Sequence, residues 1–568
     1  MRARALLAGL LTACAAQPSV QKAAPGATEA ARPNIVLVLF EDLSPRLGAY
    51  GDPLARTPAF DRIATEGVRY TNAYTAAGVC APSRAALITG RHPQTIGAQH
   101  MRTMGVAGLR GGGPQEYLAV PPPEVKAFPE LLRATGYYAS NDHKKDYQFG
   151  TPFTVWDADA QGADWTGRAD GQPFFAMITL MTSHESYVWP EDMRSESPLV
   201  QAVTARNRRA LSGKARVTDP GDVTVPPYLP DTPEVRRDIA THYDNVAFTD
   251  AGLGAIYDRL EADGLLDETI LIVSTDHGDG LPRMKRSLYD SGLHVPMVVR
   301  YPDGRGAGSV DDRLVSFVDL APTILDWAEV PTPSWMQGRD VAPPTDDAPR
   351  DYVFASLDRL DGLPGLRRAV RDERYKLIWN GLPDSPYYAP LPFRDVQPSM
   401  RALWAGRAAG TLPEAAARLF EPLPTWQLFD TDADPDEVRN LADDPAHADD
   451  FARLRGALAG WRAEIGDTAP PEVRMIDAMW PGGTQPLTHP PAVRIEGGVV
   501  TLSTPTEGAS IGYRLGDEER WRLYTGPFRP PPDVAVTAKA IRYGYAESEA
   551  VTASPTSAST DADTDDLP

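Results

Sequence analysis

Glu41-Asp42 and Asp276-His277 each close an apolar run, the first following Asn34 to Phe40 and the second following Thr269 to Thr275. Three carboxylates and an imidazole, with no thiolate among them, suit a hard divalent cation better than a structural zinc. Either pair alone would also pass for a solvated strand end. Two further apolar runs end in the same way: Phe174 to Leu180 leads to His184, and Gly136 to Ser140 leads to Lys144-Lys145. A different chemistry surrounds Cys80, in Gly78-Val79-Cys80-Ala81-Pro82-Ser83-Arg84 and on to Gly90. Pro82 fits the first turn of a helix, the following Ala/Leu run propagates it, and Gly90 can end it. Cys80 then stands at a helix N-terminus, where dipole and free amides favour an anion, with Arg84 one turn later on the same face. A buried structural thiol is the competing role for a free cysteine.

For these groups to meet, the runs must be strands of one sheet. Continuous apolar runs are expected for strands buried on both faces, and their alternation with helical stretches predicts an α/β domain with a mainly parallel sheet. In such a sheet the carboxyl ends share an edge, and ligands bind outside it. The chain of 568 residues, 42% apolar, is long enough for about three or four domain-sized units. Its 77 acidic and 56 basic residues give a net charge of −21, which argues against a nucleic-acid partner. Two cysteines exclude a disulfide framework.

Cys80-Ala81-Pro82-Ser83-Arg84 matches the Cys-x-Pro-Ser-Arg motif of type I sulfatases, within the alkaline-phosphatase-like superfamily. Further landmarks of that family follow in order: Thr57-Pro58 with Asp61-Arg62, Thr275-Asp276-His277-Gly278, Lys285 before Tyr289, Val295-Pro296, Asp319-Leu320-Ala321-Pro322-Thr323, and Leu428-Phe429-Asp430. The resemblance spans about Arg32 to Asp467. It implies that Cys80 is oxidised to Cα-formylglycine by a formylglycine-generating enzyme, and that Glu41, Asp42, Asp276 and His277 hold the metal, Ca²⁺ with Mg²⁺ as the alternative. By the same resemblance Arg84, Lys144, His184 and Lys285 steady the aldehyde hydrate and hold the sulfate, while His100 and His294 are candidate substrate contacts. One hydroxyl of the hydrate would attack sulfur in line, His184 or Lys285 would assist the departing oxygen, and the second hydroxyl would expel sulfate. Three departures from the family pattern stand out: Glu41 where an Asp is usual, His277 where Asn is frequent, and Asp146 where a His is usual. Asp146 then either bonds the hydrate or forms a salt bridge that positions Lys144 or Lys145, with His143 as the alternative to it.

The start of the chain, Met1 to Cys14, has a short basic and apolar pattern like a signal peptide, and Leu11-Thr12-Ala13-Cys14 resembles a lipobox with Cys14 lipidated. An ordinary signal cleaved near Ala16 is the alternative. The expected organisation is a lipoprotein signal over 1–14, a tether over 15–31, a catalytic domain over 32–350, a smaller α+β subdomain over 351–470, a small appended β-sandwich over 488–552 and an acidic disordered tail over 553–568. Exposed aromatics of that sandwich would contact sugar if they did not pack in its core. The expected protein is a bacterial enzyme lipid-anchored in the cell envelope, periplasmic or surface-exposed, that releases sulfate from an anionic glycan or a small sulfate ester. Three competitors are a sulfamidase cleaving N–S bonds, a phosphomonoester or phosphodiester hydrolase of the same superfamily, and a surface glycan-binding lipoprotein with a decayed site.

Overall fold

The computed structural model describes residues 32–105, 112–142, 144–190, 193, 197–341 and 348–554. Cys14, the leader and tether, His143 and residues 555–568 of the acidic tail lie outside these residues. The central sheet has eight strands: β1 (Asn34–Phe40), β2 (Val68–Tyr74), β3 (Tyr138–Asp142), β4 (Ala158–Asp159), β5 (Phe174–Leu180), β6 (Thr269–Thr275), β7 (His294–Arg300) and β8 (Ser309–Ser316). Their order is β4-β3-β5-β1-β6-β7-β2-β8. Every neighbouring pair is parallel except the two made by β7. The connection from β6 to β7 carries only the four-residue helix Asp290–Leu293, and without a full crossover helix the chain returns antiparallel.

Alternating side chains of the central strands feed two cores. Ile35, Leu37, Leu39, Phe175, Met177, Ile270 and Ile272 face one, while Val36, Val38, Phe40, Phe174, Ala176, Leu271 and Val273 face the other. The first core is closed by α2 (Cys80–Thr89) and α3 (Phe128–Ala134), the second by α1 (Pro58–Glu66) and by α5 (Pro233–Ala262), while α4 (Pro198–Ala210) precedes α5 in the chain. Each aliphatic side chain so buried contributes about 1.5–3 kcal/mol, which explains why β1 and β6 are apolar on both faces. Phe40 pairs with Leu180 on one side and Thr275 on the other. That register releases Glu41 and Asp276 at the same level of the same edge.

A second sheet, antiparallel, has the order β12-β11-β10-β9, with β9 (Val353–Leu357), β10 (Arg367–Arg371), β11 (Tyr375–Asn380) and β12 (Trp426–Asp430). The helix Ala448–Glu464 lays Leu454, Leu458 and Trp461 on its Val370, Leu377 and Leu428. The last strands form a hairpin, β13 (Ala492–Glu496) with β14 (Val499–Ser503), and a four-stranded sheet β16-β15-β17-β18. In that sheet β15 is Ser510–Leu515, β16 Arg522–Leu523, β17 Val536–Ile541 and β18 Val551–Ala553. Hairpin and sheet share a core of Val500, Leu502, Ile511, Val536, Ala538 and Ala540. Tyr543 is fully buried, stacks on Phe149 at 5.1 Å and donates to Glu130 at 2.8 Å, a packing role. Among the described residues no helix is long and apolar enough to cross a membrane.

Candidate active site

Helix α2 begins at Cys80 and ends at Gly90, whose left-handed backbone (φ 65°) lets its N–H reach Ala86 O at 2.9 Å. All ten of its residues are buried. Its start is tied to the sheet by Ser83, whose hydroxyl donates to the Asp276 carbonyl at 2.5 Å and lies 2.6 Å from Thr75 Oγ1. Just before the helix, Arg286 N donates to Gly78 O at 2.6 Å, and a Cβ on Gly78 would stand 2.0 Å from Ser287 O. Only glycine fits that approach. The outcome is a cysteine held at the carboxyl edge of the sheet, with Sγ 3.2 Å from His277 Nε2.

Around Cys80 the carboxylates converge. Ligand atoms of Asp42, Asp276, His277 and Cys80 all lie within 4.8 Å of one another, as do those of Glu41, Asp42, Cys80 and His184. Glu41, Asp42, Asp276 and His277 are fully buried. Among the described residues Asp276 Oδ2 has no hydrogen-bond partner, although Arg84 Nε and Lys144 Nζ stand at 3.5 and 3.6 Å. A buried carboxylate oxygen without a donor is costly unless a cation meets it, and this donor set of carboxylates and one imidazole fits a hard divalent ion. His277 expresses the same demand. Burial alone would lower its pKa, but Asp276, Cys80 and Asp42 push it up to about 9, so its proton stands where a metal's charge would serve. For Asp276 burial works upward, yet His277, Lys144, Arg84 and Lys285 hold it well below the usual carboxylate range. Burial, with Asp276 adding to it, leaves Glu41 above its ordinary value despite Lys144 and Arg84.

The cations interlock with these acids. Arg84 and Lys144 both bond the Glu41 carboxylate. Lys285 donates to both Asp42 oxygens at 2.9 Å and lies 3.1 Å from Glu185, which Arg286 grips through two bonds of 2.7 Å. Asp42 and Arg286 take left-handed backbone, φ 52° and 68°, at about 1–2 kcal/mol each, and these pairings offset that cost. His184 is kept neutral: burial, then Lys285, Lys144 and Arg206, hold its pKa well below the ordinary value. Ser186 N and Oγ stand 3.2 and 2.9 Å from His184 Nδ1, and the Lys285 ammonium stands 3.3 Å from Nε2. Cys80, Lys144, His184 and Lys285 line an open cavity of about 560 Å³, with Arg102 and Arg206 farther along its wall.

The structure thus brings together Cys80, Arg84, Lys144, His184, Lys285, Glu41, Asp42, Asp276 and His277. Asp146, with its side chain 43% exposed, lines the same cavity and pairs with Lys144 at 3.4 Å, an arrangement that suits the salt-bridge alternative. Two candidates are corrected. His294 lies outside the cavity because its Nε2 is taken up by the Thr71 carbonyl at 2.7 Å and its ring stacks on Tyr74. His100 is buried behind the wall, where Nδ1 accepts from Arg359 N at 3.3 Å, and its neighbours Met101 and Arg102 reach the cavity instead. Glu185 and Arg286 were not expected; each directly follows a candidate, His184 and Lys285, but an adjacent charge is too common in a sequence to single out. Asp279 was missed as well: it is fully buried, accepts from Ser44 N at 2.7 Å, pairs with Arg46 at 2.8 Å and so braces the turn after β1.

The sulfatase family model matches residues 33–168 and 159–330, and that for the C-terminal part of N-sulphoglucosamine sulphohydrolase matches residues 283–380. An ulvan-active sulfatase of Formosa agariphila is 39% identical over 543 residues, covering 92% of this chain and 91% of the relative. Human N-sulphoglucosamine sulphohydrolase is 28% identical over 484 residues, 77% of this chain and 91% of the relative. Among solved structures, a protein in complex with its substrate D-glucosamine-2-N,6-O-disulfate superposes with a TM-score of 0.53 at 19% identity, over 77% of this chain and 99% of its own. A phosphonate monoester hydrolase of Agrobacterium radiobacter does so with a TM-score of 0.53 at 18% identity, over 76% and 96%. Both structural likenesses speak for the fold.

Proposed function

This chain belongs to the sulfatase family, sulfuric ester hydrolases of the alkaline-phosphatase-like superfamily, and on that premise we propose that it removes sulfate from O-sulfated positions of an anionic glycan, with Cys80 converted to formylglycine and Ca²⁺ as the metal. The observation that carries the reading is the meeting of Cys80, at the start of a buried helix, with Lys144 and Lys285 on the lining of one cavity, and with Arg84 buried one turn further along the helix. The name of the 39%-identical relative supports a polysaccharide sulfate ester as substrate.

Cys80 Sγ occupies the place where the oxidised residue would present its oxygen. Glu41, Asp42, Asp276 and His277 would hold the metal, which supplies Lewis-acid charge to the nucleophile and to the sulfate oxygens when bound. Arg84, Lys144 and Lys285 oppose the charge of the sulfate and stay protonated, because Glu41 at Arg84, Cys80 and then Glu41 at Lys144, and Asp42 at Lys285 outweigh the effect of their burial. The neutral His184 ring and the Lys285 ammonium, 3.3 Å apart, would together assist the departing oxygen, with Lys285 as the proton donor. Lipidation at Cys14, supported by Leu11-Thr12-Ala13-Cys14, would hold the enzyme at a bacterial envelope membrane.

Release of sulfate from a panel of O-sulfated ulvan fragments and N-sulfoglucosamine, set beside release of phosphate from an aryl phosphate ester, tests the reading. Release from the O-sulfated sugars is the expected result. A second reading, N–S cleavage, is favoured by the match of residues 283–380 to the N-sulphoglucosamine sulphohydrolase C-terminal family; turnover of N-sulfoglucosamine alone would establish it in place of the first.

A further inference from the structure

Lys285 and Arg286 are the wall between two spaces: the cavity around Cys80 and a second, more enclosed one of about 110 Å³. One water needs about 10–15 Å³, so the second space admits a polyatomic ion. Its lining is unusual in a protein of net charge −21: Arg283, Lys285, Arg286, Arg367 and Arg394 contribute cations, and among the described residues no carboxylate lines it. Lys285, Arg286 and Arg394 have acidic partners elsewhere, in Asp42, Glu185 and Asp395. Arg367 makes no ion pair or side-chain hydrogen bond among the described residues and only stands over the Tyr387 ring at 5.3 Å. Among the described residues Arg283 Nη1, Arg286 Nε, Arg367 Nε and Tyr388 Oη are buried without a hydrogen-bond partner, on residues that are 3%, 5%, 9% and 1% exposed, and the Arg283 guanidinium also stands over the Tyr289 ring at 3.6 Å. Four buried donors without a hydrogen-bond partner among the described residues thus belong to side chains that line one small cavity, and buried donors are rarely left without an acceptor.

We propose that this cavity is a second anion site, built for a sulfate-sized oxyanion held by Arg367, Arg283 and Tyr388. Free sulfate and an anionic group of a longer substrate share that chemistry. A bound oxyanion would lie against the far side of Lys285 and Arg286 and draw on the positive charge that these side chains present to the catalytic cavity. The site does not depend on which sulfated sugar is cleaved.

Calorimetric titration of the full chain with sodium sulfate, at constant ionic strength in chloride, tests this. Wild type should bind two sulfates per chain, and Arg367→Gln should bind one, with hydrolysis of a small aryl sulfate kept within about twofold. If Arg367→Gln does not fold, judged by circular dichroism, Tyr388→Phe removes a single donor and should weaken the second binding event several-fold. Comparing KM for a monosulfated sugar and a polyanionic oligosaccharide separates the sources: a rise only for the oligosaccharide in Arg367→Gln assigns the site to a substrate group, and no rise for either assigns it to free sulfate. Unchanged sulfate stoichiometry and affinity in the folded variants would overturn the proposal.

Discussion

Two buried ion clusters of this protein are built from the same side-chain types and behave oppositely. In the second sheet Arg368 is fully buried, and its guanidinium bonds Asp467 at 2.6 and 3.0 Å, Asp358 at 2.9 and 3.2 Å and the Arg367 carbonyl at 2.8 Å. Every donor there is used, and neither Arg368 nor its two acids lines the cavity around Cys80. At the edge of the central sheet Asp276 Oδ2 and Arg84 Nε, 3.5 Å apart, have no hydrogen bond among the described residues, and Lys144 and Lys285 of the cluster line the space around Cys80. A satisfied cluster is architecture. An unsatisfied one next to a cavity holds electrostatic demand in reserve for a metal and an anion.

The largest effect that would sharpen this contrast is chemical. Cys80→Ala should reduce sulfate ester hydrolysis by on the order of 10⁴-fold or more while the melting temperature stays near wild type; turnover persisting in the alanine variant would remove the open cluster's role in catalysis. Asp276→Asn comes next. It should lose stoichiometric metal, measured by elemental analysis, together with roughly 10²–10³-fold of activity, and lower the melting temperature less than Arg368→Ala does, because Arg84 and Lys144 keep Glu41 as a partner. Arg368→Ala should do the reverse, costing about 3–5 kcal/mol by stranding two buried acids and lowering the melting temperature, with activity per folded molecule preserved. If Asp276→Asn and Arg368→Ala both mainly destabilised, the distinction between the clusters would collapse.

Smaller effects probe the borders of the comparison. Asp146 is half exposed and pairs with Lys144, so Asp146→Asn should raise KM by up to about fivefold, the scale of an exposed ion pair, with little change in kcat; accumulation of a sulfated enzyme would instead make it a base for sulfate elimination. Asp238 is a third kind of buried acid. It accepts from Ser399 N at 2.7 Å, has no ion pair among the described residues, and burial pushes its pKa up to about 7. The unfolded value is about 3.9, so the folded state holds the extra proton between about pH 4 and 7. Its contribution to stability is therefore complete below pH 4 and lost as pH rises to 7. Asp238→Asn should flatten that decline in thermal unfolding measured across the interval.

The sequence by itself carried the strands that converge, because both-face burial forces continuous apolar runs such as Asn34 to Phe40, and it carried the helix start at Cys80, because proline, glycine and helix-propagating residues act locally. The family motif added the identity of the nucleophile. A motif cannot sort catalysis from packing: Asp319, one of the same landmarks, is fully buried and holds Ser316 N, Arg339 N and Arg350 together, whereas Asp276 faces the cavity cluster. Nor could it see that His294 turns to Thr71, that His100 sits behind the wall, or that Arg367 is left without an acid. Those facts rest on partners far apart in the chain, such as Lys285 and Asp42 at a separation of 243 residues. Local periodicity specifies which face a side chain takes, but only sheet order, register and the packing of the second sheet against the first decide which charge meets which, and which donors remain unmet.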